Sequence, residues 1–177
     1  QGSGRSVTEY GEPDVVLDAA PEPLVATYRL PYLAHATMEP MNCTAWVHDG
    51  QCTVWAPTQF ANGSAIIGGG ARQVAADAAG VSVDKTELNV TYLGGGFGRR
   101  AERDFVQEAA ELAGKIDGPV KVVWSREDDT RHDFYRPASW HEFRGSLGNN
   151  GLPEAWEHRM ASQSIIERLV PPWVPGP

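Results

Sequence analysis

Apolar and polar residues alternate along two stretches of the chain, and each stretch predicts a β-hairpin. The first covers residues 42–55 and turns at Asp49-Gly50, a dipeptide typical of two-residue hairpin turns. The second pairs residues 140–147 with 153–160 around a slightly longer loop at 148–151. Strand pairing between neighbours in sequence is therefore expected at both places.

The turn of the first hairpin also fixes which side chains share a face. It sets Val47 opposite Cys52, and alternation along both strands then gathers small and apolar residues on one side. The face predicted to be buried contains Cys43, Ala45, Val47, Cys52, Val54 and Ala56. Cys43 lies two pairs away from Cys52, so we expect no disulfide and interpret both cysteines as small core residues.

Helical periodicity and chain-breaking residues predict the other elements. A helix over 101–116 carries Phe105, Ala109, Leu112 and Ile116 on one stripe. Further helices are predicted at 12–20 and 71–79, strands at 24–30, 87–93 and 120–124, and a flexible glycine-rich loop at 60–70.

The order of these elements predicts the fold class. Strands and helices interleave without repeats, which indicates an α+β fold with a mixed sheet, two β-hairpins and two or three helices. A capped acidic helical turn is also expected after Ser125.

Composition narrows the class of protein without naming a function. The chain has 177 residues, 41% of them hydrophobic, and a formal charge of −8, which argues against nucleic acid as a partner. No apolar run approaches the ~18 residues that would suggest a membrane span, and no signal peptide is expected in this stretch. An acidic globular chain remains.

The glycine turn Gly94–Gly98, followed by Arg99 and Arg100, is the strongest candidate site. Glycines let backbone N–H groups approach a ligand, a following helix N-terminus favours an anion, and two arginines add charged donors. The spacing matches neither a dinucleotide fingerprint nor a phosphate loop of the Walker type. The alternative is a tight strand–helix turn with solvated arginines, which the residues alone leave open.

Other chemistry finds little support in the sequence. None of the five histidines has a second metal-ligand type at helical or strand spacing with a third partner nearby. His132-Asp133 fits either an oriented imidazole or a surface pair, and we favour the surface pair. No nucleophile motif is present.

Four motifs in order give the chain a resemblance to a known family. They are residues 31–45 (PYLAHATMEPMNCTA), 55–59 (WAPTQ), 93–100 (LGGGFGRR) and 119–129 (PVKVVWSREDD). Over residues 24–170 the chain resembles the molybdopterin-binding large subunit of molybdenum hydroxylases, the xanthine dehydrogenase and aldehyde oxidase family. The isoquinoline 1-oxidoreductase beta subunit is the branch that it resembles most.

The resemblance implies an oxidoreductase that hydroxylates aldehydes or N-heterocycles with an oxygen from water. It implies a molybdenum–molybdopterin cofactor, in the cytosine dinucleotide form, and a small [2Fe-2S] subunit that takes the electrons. Backbone amides of Gly95, Gly96, Phe97 and Gly98 would lie near the cofactor, and Arg99 or Arg100 would suit its phosphates. The branch also implies a periplasmic or membrane-associated parent protein.

The chain departs from the family pattern at three places. Leu33 stands where many members have a glutamine near the metal, and Ala101 stands where purine-oxidising members have an acid, which disfavours a purine substrate. The family's Gly-x-Gly-Glu motif with the catalytic glutamate does not occur in the 177 residues. We therefore expect no catalytic residue in this chain, and weak activity and cofactor affinity when it stands alone.

These departures predict one domain of a larger subunit. The expected division is a linker or tag with a short helix at 1–23, a partial molybdopterin-binding domain at 24–170, and a truncated connection at 171–177. Its partners would be the remaining domains of the same subunit. A non-catalytic scaffold or assembly module of the same fold is the alternative, and an independent anion-binding protein is a third interpretation.

Overall fold

A computed structural model describes residues 4–64, 67–165 and 167. The described residues divide into two compact units, one of residues 4–33 with 137–164 and the other of residues 34–64, 67–136, 165 and 167. In chain order the elements are α1 (Pro13–Ala19), β1 (Leu24–Leu30), β2 (Asn42–His48), β3 (Gln51–Ala56), β4 (Gly63–Ser64), β5 (Gly68–Gly69), α2 (Ala71–Ala79), β6 (Thr86–Val90), α3 (Asp104–Ala113), β7 (Val120–Val123), α4 (Arg126–Arg131), β8 (Ser139–Leu147) and β9 (Pro153–Ser162). Within the described residues, no helix is both long and apolar enough to cross a membrane. The α+β class is confirmed.

The first unit is a three-stranded antiparallel sheet with one helix. β8 lies between β1 and β9, and the β8–β9 pair is the predicted second hairpin, with a register shift between Ser146 and Leu147. α1 begins at Pro13, where the missing N–H costs no helical bond, and it contacts β9 and β8. Its Leu17 is buried.

The second unit is built on a four-stranded mixed sheet in the order β6-β3-β2-β7. β2 is antiparallel to β3 and β7, whereas β3 and β6 are parallel and are joined through α2. α2 ends at Gly80, which has a left-handed conformation (φ 69°). In this conformation its amide donates hydrogen bonds to the carbonyls of Ala76 and Asp77 in the last turn. This sheet carries the segments that form the candidate site.

The first hairpin has the predicted register, and its core face is the predicted one. Val47 pairs with Cys52 across the turn, and the buried face includes Cys43 and Val54. Both cysteines are free thiols, and burial raises the pKa of Cys43 to about 12. Small residues here allow α3 and α2 to pack closely on the sheet.

The third helix differs from the sequence prediction in its start and in its buried stripe. Residues Arg99–Ala101 form a separate 3-10 turn, so α3 begins only at Asp104. Its buried side chains are Phe105, Val106, Ala109, Ala110 and Ala113. Leu112 and Ile116, expected on the buried stripe, are 42% and 51% exposed. The alanines face the sheet because their small side chains permit the close approach that a leucine would prevent.

Two further expectations are corrected. The strand predicted at 87–93 ends at Val90, where its parallel pairing with Ala56 ends. The loop at 60–70 contains a short antiparallel pair, β4 with β5. Glycine is required there, because a Cβ at Gly63 would collide with the carbonyl oxygen of Gly68.

The corrected stripe of α3 makes a direct prediction about stability. Phe105→Ala should lower the free energy of unfolding of the 177-residue chain by about 3–5 kcal/mol, because it empties a fully buried site. Leu112→Ala, on the exposed flank, should lower it by less than about 1 kcal/mol. Denaturant unfolding of the two variants measures both values, and equal losses would contradict the packing described.

Candidate functional site

The glycine turn leaves β6 through residues 91–93 and has an unusual backbone. Gly95 and Gly98 have φ of 95° and 99°, which glycine alone adopts freely. Phe97 also has a positive φ, 53°, and its side chain is 77% exposed. A bulky residue in this region is strained, so the surrounding structure must hold the turn in place.

Two side chains from neighbouring loops hold the turn. The amide of Gly94 donates to Oε2 of Glu39 (2.9 Å), and the amide of Glu39 donates to the carbonyl of Gly94 (3.2 Å). At the other end, the amide of Gly98 donates to Oε1 of Gln59 (3.1 Å). The turn is therefore anchored at its first and last residues.

Glycine is needed where these anchors press against the backbone. A Cβ at Gly94 would lie 2.6 Å from Cβ of Glu39, and one at Gly96 would collide with Oε1 of Gln59. Both distances are shorter than those that Cβ atoms make to other atoms in proteins. The glycines thus serve the close approach of Glu39 and Gln59 as well as the turn conformation.

Between the two anchors, three consecutive amides have no hydrogen-bond partner in the described part of the chain. Phe97 is exposed, Gly95 is half-buried and Gly96 is buried beside Gln59. No acceptor among the described residues receives a hydrogen bond from the N–H of Gly95, Gly96 or Phe97. Successive backbone donors in a turn with positive φ values form a concave site that suits anionic oxygens. The predicted ability of the turn to cradle an anion therefore has a physical basis in its amides.

Arg100 is fully buried behind the turn and bonds only to protein oxygens. Its Nε donates to the carbonyl of Gly95 (2.7 Å), and one terminal nitrogen donates to both the carbonyl (2.7 Å) and Oε2 (2.9 Å) of Glu39. Its other terminal nitrogen reaches the carbonyl of Pro57 (3.4 Å). Burial lowers the pKa of Arg100, and the charge of Glu39 opposes that effect.

Arg99 points to a different set of partners. Its two terminal nitrogens donate to both carboxylate oxygens of Asp104 (2.9 and 2.7 Å), and its Nε forms an ion pair with Oδ1 of Asp133 (3.0 Å). The guanidinium also lies over the rings of Trp124 and Phe134, 5.5 and 5.1 Å from their centroids. Desolvation lowers the pKa of Arg99, but Asp104, Asp133 and Asp129 together outweigh it, so the pKa rises.

These contacts change the interpretation of the arginine pair. The sequence suggested either open donors at a helix N-terminus or solvated side chains, and neither arrangement is present. Arg99 and Arg100 are 1% and 0% exposed, and a 3-10 turn separates the glycines from α3. Contact of either guanidinium with a phosphate stays a prediction. In the structure Arg100 holds the glycine turn. Arg99 joins the 3-10 turn to Asp104 and Asp133.

Half-buried Glu39 is the ionised partner of this arrangement. Desolvation raises its pKa, but hydrogen bonds from Gly94 and Asn42 and the charge of Arg100 together lower it below the usual value. Asn42 donates to Oε1 (2.9 Å), so both carboxylate oxygens are bonded. The carboxylate therefore links the segment around residue 39 to the turn and to Arg100.

Sequence reasoning missed the side chains that hold the segment before Glu39. Ser125 caps α4 with a capping box, as predicted. Arg126 on α4 donates to the carbonyls of Thr37 and Met38. Asp133 accepts from His35 rather than from its neighbour His132, so the surface pair favoured from the sequence is not formed. The partners lie 98 residues apart, and no local pattern signals such a contact.

The described residues contain no group of three or more histidine, cysteine, aspartate or glutamate side chains placed to hold a metal ion.

The lowered pKa of Glu39 predicts how stability depends on pH. Because the folded pKa lies below the ordinary value of 4.5, the ionised carboxylate stabilises the folded chain above that pH and loses this effect as the pH falls through the folded pKa. Glu39→Gln should therefore destabilise the chain near neutral pH, and its difference from wild type should shrink between roughly pH 5 and pH 3. Denaturant unfolding across this range tests it. Glu111→Gln, on the exposed side of α3, is the matched control, and a difference independent of pH would contradict the account.

Comparisons with known proteins place the chain in a family. A family model described as the molybdopterin cofactor-binding domain matches residues 2–164. The chain is 30% identical over 164 residues to the beta subunit of isoquinoline 1-oxidoreductase from Brevundimonas diminuta, covering 92% of this chain and 19% of that protein. It is 32% identical over 139 residues to the xanthine dehydrogenase molybdenum-binding subunit of Escherichia coli O157:H7, covering 73% and 17%.

Solved structures agree in fold. Quinoline 2-oxidoreductase from Pseudomonas putida 86 superimposes with a TM-score of 0.60 at 16% identity, over 82% of this chain and 18% of that one. The chain spans less than a fifth of the length of these curated relatives. The family resemblance seen in the four sequence motifs is confirmed: the chain belongs to the molybdopterin cofactor-binding domain family of the molybdenum hydroxylases.

Proposed function

We propose that this chain forms one wall of the molybdopterin site in a molybdenum hydroxylase, and that the glycine turn is the contact surface. The observation that carries the proposal is the row of three amides at Gly95, Gly96 and Phe97, which no described residue uses as donors. A turn that is anchored at both ends but leaves its middle donors free is suited to a ligand with anionic oxygens.

The residues present fit this cofactor. Molybdopterin carries a phosphate and a polar pterin, which are groups that backbone N–H donors bind. Half-buried Gly95 has no side chain to block that approach. When bound, the molybdenum cofactor accepts the two electrons removed from the substrate while water supplies the oxygen.

The chain's own residues bind and position rather than react. The amides hold the ligand, and Glu39, Gln59 and Arg100 fix the turn from behind. Exposed Phe97 would cover the bound ligand from solvent. We place the catalytic base in the remainder of the subunit, because the glutamate motif that the resemblance implies does not occur in these 177 residues. We also propose that the chain alone holds little cofactor, since it supplies one wall of the site.

The cytosine dinucleotide form of the cofactor is part of the proposal and rests on the resemblance. Arg99 and Arg100 are already bonded to protein oxygens. The amides of the turn are therefore the donors that the structure offers to additional phosphates.

We propose aldehydes or N-heterocycles as substrates and the remaining domains and a small [2Fe-2S] subunit as partners. Relatives named as subunits of an isoquinoline 1-oxidoreductase and of a nicotinate dehydrogenase support an N-heterocyclic substrate and partner subunits. A relative named as the molybdenum-binding subunit of an aldehyde oxidoreductase supports an aldehyde, and the [2Fe-2S] subunit rests on the resemblance. Ala101, in the 3-10 turn after the glycines, offers no acid to a purine. A periplasmic or membrane-associated parent protein is proposed from the resemblance.

A non-catalytic scaffold of the same fold is the second candidate. Leu33 favours it, because many members have a glutamine at that position. A scaffold needs the fold of the turn but not its free amides, so variants at the turn distinguish the two functions.

The test uses Gly96→Ala in the molybdenum enzyme that contains this domain. The added Cβ would meet Gln59 and crowd the free amides, so we expect most of the molybdenum and pterin to be lost. Gly114→Ala is the matched control, because the nearest atoms to its Cβ lie 3.7 Å away, and it should keep both. Metal analysis and pterin fluorescence measure the contents, and melting temperature checks the fold.

Phe97→Ala is a second variant that leaves the core intact, since this side chain is exposed. Because the ligand would lose its contact with the Phe97 ring and shift, Phe97→Ala should lower turnover by roughly 100-fold. Unchanged cofactor content and turnover in both variants would reject the proposal and favour the scaffold.

A further inference from the structure

We propose that His35 is a cofactor- or substrate-contacting residue of this wall, held by Asp133 so that its Nε2 accepts a hydrogen bond from an N–H or O–H group. The inference rests on the proposed function, because it assumes that the wall faces a ligand. The ligand would contact Nε2 through an N–H or O–H group, which a pterin and some substrates carry.

Asp133 fixes the imidazole from one side. Nδ1 of His35 lies 2.9 Å from Oδ1 and 3.0 Å from Oδ2 of Asp133, and the backbone amide of His35 donates to the same carboxylate. The Asp133 side chain is 2% exposed, and its Oδ1 also meets Nε of Arg99. Contacts of both the backbone and the ring of His35 with one carboxylate leave the ring a single orientation.

This arrangement determines which ring nitrogen carries the proton. An ionised carboxylate only accepts hydrogen bonds, so Nδ1 must be the donor. In the neutral ring Nε2 then has a free lone pair and is an acceptor. A carboxylate that orients a histidine in this way is a common means of preparing the opposite nitrogen for a ligand.

Nε2 has no partner among the residues that the structure describes. Nε2 is not a buried polar atom left without a partner, because the side chain of His35 is 16% exposed. A binding site requires an oriented ring with one ring nitrogen open to a ligand. Packing alone does not require this arrangement.

His35 belongs to the same wall as the glycine turn. Asp133 joins it to Arg99, the residue that follows the turn directly. Two residues after His35, Cβ of Thr37 lies 3.7 Å from the position that a Cβ of Gly95 would occupy. Ala36 between them has a positive φ of 43°, which turns the backbone sharply at this point. The segment that carries the ring therefore contacts the segment that carries the free amides.

The first test measures the tautomer in the 177-residue chain by the ¹⁵N chemical shifts of its histidine rings. The proposal predicts a protonated Nδ1 and an unprotonated Nε2 for His35 near pH 8. A proton on Nε2 would overturn it. This experiment needs no cofactor, so its result does not depend on the proposed function.

The second test compares two variants in the molybdenum enzyme. An asparagine side chain carries its amide nitrogen at the position of Nδ1, so His35→Asn keeps the bond to Asp133 and removes Nε2. His35→Gln reaches the position of Nε2 and gives up that bond. His35→Asn should have the melting temperature of the wild type but lose the ligand contact. His35→Gln should recover part of the pterin content or KM that His35→Asn loses.

The readout separates the two sources of the donor. A fall in pterin content of roughly 5- to 10-fold, the size of one lost hydrogen bond, identifies the cofactor. An equal rise in KM at normal pterin content identifies the substrate. His35→Asn with wild-type pterin content and KM would overturn the inference. A wild-type enzyme without molybdenum and pterin would instead refute the proposed function.

Discussion

The site depends on one buried cation, the guanidinium of Arg100, and on the carboxylate of Glu39 that meets it. A buried charge is stable only when its donors are satisfied, and those of Arg100 bond to Glu39, Gly95 and Pro57. These three residues belong to segments that are far apart in sequence. Ion pairing therefore fixes the relative positions of the three loops, and with them the shape of the glycine turn.

The rest of the second unit supports this arrangement. Cysteine, alanine and valine on the inner face of the sheet let α3 pack closely on it. The 3-10 turn that precedes α3 contacts the loop after β3, where Arg100 bonds to residues 57–59. α4 adds a second polar support, because Arg126 and Asp133 bind the segment that leads to Glu39. These contacts on both sides of the turn hold Phe97 in its strained backbone conformation.

Sequence patterns predicted the parts that local physics determines. The Asp49-Gly50 turn fixes its own register, Gly80 ends α2, and Ser125 caps α4, since each signal lies within a few residues of its effect. The start of α3 was missed because no glycine or proline separates the 3-10 turn at 99–101 from the helix. The partners of the arginines were also missed. Glu39 and Arg100 are 61 residues apart, so only the folded sheet brings them together.

Residue-resolved hydrogen exchange across the glycine turn tests the central claim most directly. In the chain alone, the bonded amides of Gly94 and Gly98 should exchange slowly, and those of half-buried Gly95 and exposed Phe97 should exchange rapidly. In the molybdenum enzyme with its cofactor, the amides of Gly95 and Phe97 should become protected. Equal protection of all four amides in the chain alone, or no change at Gly95 and Phe97 when the cofactor is bound, would contradict the account.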